Sequence, residues 1–178
     1  MSTTYTRPSA LGGVCLTVLL SATSFCGAAP KKADPAATAR AKQDIQAVYD
    51  RQAKGLAAKD VNAVFSGVAP DAVTTELDGK SETAAEGRQM ISTLMPLMKH
   101  ADAVNTIQSI MLEGDSAVVV VKQHSHMVLM PPKQPMTDLV IDDVSRDMWI
   151  KTPGGWKMKT SKDLTEVVKQ NGKVVSKK

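Results

Sequence analysis

Three helices followed by an unbroken series of strands is the feature of this sequence that leaves the fewest folds open. The order runs through a long amphipathic helix, a Lys59-Asp60 break, a short second helix, a strand carrying Glu76 and a third helix. Strands follow, closing on Gly154-Gly155-Trp156-Lys157-Met158-Lys159. Helices that each carry one apolar stripe can bury it only if the strands curve around them. The expected fold is therefore α+β: a cone-shaped, curved antiparallel sheet wrapped around three N-terminal helices. Its one open end would be a pocket.

The periodicities behind that order are specific. Ile45, Val48, Tyr49, Gln52, Ala53 and Leu56 recur at spacings of three and four, so one stripe of the first helix faces a core. Asp34 before Pro35 offers one N-cap, Thr38 another, and Gly55 weakens the helix. Asp60 caps a second helix with Val61, Val64, Phe65 and Val68, which Pro70 closes. Ala72 to Leu77 alternates as a strand, with Ala72, Thr74 and Glu76 on one face. Thr83-Ala84-Ala85-Glu86 matches a capping box, and Pro96 kinks or ends the helix it opens. Strands are expected over residues 103 to 112, 117 to 130, 139 to 151 and 156 to 161, with a small hairpin around Asn171-Gly172.

Of the 178 residues, 1 to 28 read as an export signal: Arg7, an apolar stretch from Ala10 to Leu20, then Cys26-Gly27-Ala28 before the cleavage point. That stretch is too short to span a bilayer, and no other segment does so. The protein is expected to be periplasmic or secreted. A bulky Phe25 before Cys26 disfavours lipidation of that cysteine, and both cysteines, Cys15 and Cys26, lie in the signal. Residues 29 to 38 read as a linker, 39 to 165 as one domain without disulfides, and 166 to 178 as a C-terminal hairpin or tail. The net charge of +4 is mild and its lysines are dispersed, which excludes a nucleic-acid surface. Aromatic residues make up 3% of the chain, too few for a stacking platform.

With these residues in view, the stretch from Ala39 to Leu164 resembles the nuclear-transport-factor-2-like superfamily, in its SnoaL-like and ketosteroid-isomerase-like branch. The resemblance is carried by Ile45 to Asp71, with its helix, Asp60 break, helix and Asp71-Ala72 entry into a strand, and by the Gly155-Trp156-Lys157-Met158 strand. It implies a cone-shaped α+β barrel, often a homodimer through the outer sheet face. It also implies a carboxylate base at Glu76 and a hydrogen-bond donor at Gln52 or Tyr49. No residue aligns with the aspartic acid that would partner that donor.

Read from chemistry alone, Glu76 on a pocket face would be desolvated toward a useful proton affinity, whereas at a strand end it would be solvated. Phe65, Met90, Leu94, Trp149, Trp156 and Met158 are expected to line an open cone; its methionines suit a flexible apolar ligand. His124 and His126 share a strand face with Lys122, and the opposite face, with Val119, Val121 and Gln123, is the expected interior. His124-Ser125-His126-Met127 with Met130 would suit copper, but a second ligand cluster is lacking and His100 is expected on a loop away from it. The reading therefore assigns no metal and no cofactor. No glycine-rich phosphate loop, His-Glu-x-x-His or Gly-x-Ser-x-Gly elbow occurs. The expected role is an exported domain that binds a small, largely apolar molecule. The alternatives are a proton-transfer isomerase or dehydratase, and a homodimeric interaction module with a plugged pocket.

Overall fold

The structure, a computed structural model, describes residues 34–178. The expected export signal, its cleavage point and both cysteines lie outside the described residues. Helix α1 (Pro35–Ala57) starts at Asp34, whose carboxylate accepts the Ala36 N–H, so residues 35 to 38 form its first turn rather than linker. The chain breaks at Lys59, which takes a left-handed φ of 58°, and Asp60 caps the single turn of α2 (Val61–Val64). Gly55 sits where these helices cross. A Cβ there would lie 2.7 Å from that of Ala63, so the weakened helix position is the condition for close approach.

Strand β1 (Val68–Thr75) starts earlier than the alternation predicts and includes Pro70, the expected end of α2. A three-residue β2 (Ser81–Thr83) leads into α3 (Ala84–Leu94), opened by the expected capping box. Pro96 ends that helix in a 3₁₀ turn, Met95–Leu97. Four long strands follow: β3 (Met98–Glu113), β4 (Ser116–Leu129), β5 (Thr137–Thr152) and β6 (Gly155–Gln170). Strand β7 (Lys173–Lys177) completes the hairpin at Asn171-Gly172. Strand β6 runs unbroken through residue 165, so the sheet shows no boundary there.

The sheet order is β2-β1-β6-β5-β4-β3, with β7 on the far part of β6. The expectation of a purely antiparallel sheet is corrected at one place: β1 runs parallel to β6, which the chain reaches only after a long crossover through α3 and the strands β3 to β5. The result is a curved, unclosed, mixed sheet. Bulges bend it where β3 passes Ile107 to Ser109 and where β6 meets Val144-Ser145 and Met148-Trp149. Helix α1 packs into the concavity: Ile45, Val48 and Tyr49 meet Ile107, Val119, Val121, Trp149 and Trp156. Gln46 ties the helix to the edge, donating to the Asn105 carbonyl and accepting the Ile107 N–H at the β3 bulge. Gly67 passes so close to α1 that a Cβ would lie 2.1 Å from Val48 Cγ1. No described helix is long and apolar enough to cross a membrane.

Candidate functional site

The inner face of the sheet divides into a closed deep end and an open mouth. Side chains alternate along β5, so Asp143, Ser145, Asp147 and Trp149 all point to the face that α1 covers. At the deep end the Tyr49 hydroxyl donates to Asp147 Oδ2 at 2.5 Å, while the Ser145 and Ser161 hydroxyls donate to Oδ1 at 2.9 and 2.7 Å. The Trp149 indole N–H donates in turn to the Tyr49 oxygen at 3.3 Å, with the two rings edge to face. All five residues are buried.

All three hydroxyls can donate to the two Asp147 oxygens. Burial raises the proton affinity of Asp147, and the three hydroxyl donors oppose that rise. Burial, then the Asp147 charge and hydrogen bond, push the Tyr49 phenol far above its ordinary value, so it stays a donor. The carboxylate is thus held by neutral donors.

Nearer the mouth, a pocket of about 260 Å³ opens between the helices and the sheet, with Leu56, Phe65 and Ile91 on its apolar walls and Gln52, Asn105 and Gln123 as its polar groups. An adjoining cavity of about 150 Å³ shares Phe65, Val68 and Ile91 and adds Met90 and Met158. Asn105 pairs with Gln123, Gln123 with Asp143, and Asp143 with Glu166, so these four side chains form one row across the inner face. Asp163 stands in the next row, opposite Ser145. Asp147 receives three hydroxyl donors, whereas Asp143 is surrounded by acidic neighbours. Burial, and then the charges of Asp163, Asp147, Glu166 and Asp142, push it up to about 7. Asp163 is raised by burial and then by Glu166 and Glu76.

The residues singled out from the sequence divide along the same line. Gln52 and Phe65 line the pocket, and Met90 and Met158 the cavity beside it. Tyr49, Trp149 and Trp156 lie in the closed core, and Leu94 packs in a second cluster around Met95, Met98 and Ala101. Glu76 is exposed beyond the end of β1, in the turn whose Lys80 carbonyl accepts its N–H. The base candidate Glu76 is therefore exposed to solvent while the donor Tyr49 is buried in the core. His124 and His126 are on the outer face, as Lys122 beside them suggests, and Gln123 faces inward. Asp143 and Asp147 were missed, although Trp149 as a core residue implies that every second residue before it faces the core too.

No family model and no curated protein matches the chain. Solved structures do. A conserved protein from Planctomyces limnophilus is similar at a TM-score of 0.61 and 14% identity, over 74% of this chain and 98% of that one. A nuclear transport factor 2 superfamily protein from Salmonella enterica follows at 0.56 and 17%, over 71% and 92%. The fold is that of the nuclear-transport-factor-2-like superfamily. A hexachlorocyclohexane dehydrochlorinase shares this nuclear-transport-factor-2-like fold with the chain at a TM-score of 0.58 and 15% identity, over 79% and 88%. At such identities the likeness is one of fold.

Proposed function

We propose that this chain binds a small, largely apolar molecule in the pocket at the mouth of its nuclear-transport-factor-2-like cone. The observation that carries this reading is the pocket itself: apolar walls from α1, α2 and α3 are joined by three amide-bearing residues, Gln52 of α1 and Asn105 and Gln123 of the sheet. Amides both donate and accept, so they suit a carbonyl or hydroxyl group on an otherwise apolar ligand. The test is a thermal-shift screen of the chain against small carbonyl compounds and fatty acids, repeated with Ile91→Trp, which fills the pocket. The reading expects at least one compound to stabilise the parent and not the filled variant. Stabilisation by none, or equally of both, would refute it.

A second reading is favoured by Asp143. A carboxyl group pushed up to about 7 one strand from the pocket wall exchanges its proton near neutrality, as a general acid or base must. The dehydrochlorinase that shares the fold supports proton-transfer chemistry as the class to test. In this reading the working carboxyl group is Asp143 rather than Glu76. Loss of turnover in Glu76→Gln with turnover kept in Asp143→Asn would reverse that assignment. Residues 1 to 28 support export as the setting. Pairing of two copies over the outer face is supported by Met111 and Met148, both exposed in one row with Val118. Sedimentation at micromolar concentration tests the pairing.

A further inference from the structure

His100, Asp102 and His126 come together on the sheet at the β3 edge. His100 lies within β3 rather than on a loop, and Asp102 pairs directly with His126 of β4. Their ligand atoms all lie within 4.8 Å of one another. His100 Nε2 is 2.6 Å from Asp102 Oδ2, and the two imidazole rings stand 5.5 Å apart, centre to centre. The segment His124 to Met130 offers one histidine to this cluster, and the neighbouring strand supplies the second ligand group that the sequence alone does not bring to it.

We propose that His100, Asp102 and His126 form a binding site for a divalent transition-metal ion, such as Zn²⁺ or Cu²⁺. Two imidazoles and a carboxylate are the donor set of borderline cations, whereas calcium and magnesium take oxygen ligands. Metal–ligand bonds of about 2.0–2.2 Å place tetrahedral ligands roughly 3.3 Å apart, so small side-chain rotations complete the site. His100 and Asp102 are each about half exposed and free to make them. Asp138 stands 3.2 Å from His126 Nε2, the position of a carboxylate that orients a ligating imidazole. His124 belongs to a different arrangement: its Nδ1 is 2.8 Å from Asp142 Oδ1.

That separation gives the control. The full chain, with Cys15→Ser and Cys26→Ser so that no thiolate competes, is titrated with ZnCl₂ and CuCl₂ by calorimetry, and the Cu²⁺ form is examined by electron paramagnetic resonance. One ion per chain and nitrogen superhyperfine structure from imidazole are expected. His100→Asn and His126→Asn should each weaken binding by at least about tenfold, while His124→Asn changes it by less than about twofold. Asp102→Asn, isosteric at a half-exposed position, should weaken it as the histidine variants do and serves if one of those fails to fold. Absence of binding overturns the proposal. So does binding that survives these substitutions, or that His124→Asn reduces as much as they do.

Discussion

Asp147 at the deep end of the concavity and Asp143 at its mouth sit on the same strand face, four residues apart, in opposite chemical situations. Asp147 receives three hydroxyl donors and lies in a filled core. Asp143 faces Gln123 and Glu166 and feels four neighbouring carboxyl groups, beside a pocket. Both are raised by burial, so burial does not distinguish a structural carboxyl group from a reactive one. The partners do: three hydroxyl donors oppose the rise at Asp147, whereas at Asp143 neighbouring carboxyl charges add to burial and push it up to about 7.

The comparison breaks most sharply at Asp147. Asp147→Ala strands the buried hydroxyls of Tyr49, Ser145 and Ser161, and should cost about 3 kcal/mol or more in urea unfolding. Tyr49→Phe removes one donor and leaves the Trp149 N–H without its acceptor; the expected loss is about 1–3 kcal/mol by the same measurement. Ligand binding at the mouth should survive Tyr49→Phe.

At Asp143 the sign reverses. A carboxyl group whose proton affinity is raised on folding stabilises the fold in acid, and that contribution is lost as pH climbs from the ordinary carboxylate range near 4 to about 7. Stability should therefore fall across that window and level off above it. Asp143→Asn should flatten the profile and gain about 1–2 kcal/mol at pH 8, solvent at this half-buried position reducing the full effect. Glu76→Gln is the mildest change: at an exposed turn it should alter stability by less than about 0.5 kcal/mol and leave ligand stabilisation unchanged.

The helix order, the capping box, the break at Asp60 and the inward face of β4 were legible because local rules decide them: stripes, caps and alternation. The parallel β1–β6 pairing was not, because strands meeting across about 90 residues leave no local mark. Glu76 looked like a pocket residue on the assumption that its strand ran to Leu77; β1 ends at Thr75, and the turn at Asp78-Gly79 starts earlier than the alternation suggests. His100 could not be joined to His126 without the register of β3 on β4. Asp147 was readable from Trp149, but its donors come from α1 and β6, and only the tertiary fold reveals them.

A ¹³C-detected titration of the aspartate carboxyl groups from pH 3 to pH 9 tests the contrast directly. The structure predicts a midpoint near 7 for Asp143, shifting when a pocket ligand is added, while the Tyr49 and Trp149 resonances at the deep end stay unmoved by that ligand. An Asp143 midpoint in the ordinary range near 4, insensitive to ligand, would contradict the division of the cone into a structural end and a working mouth.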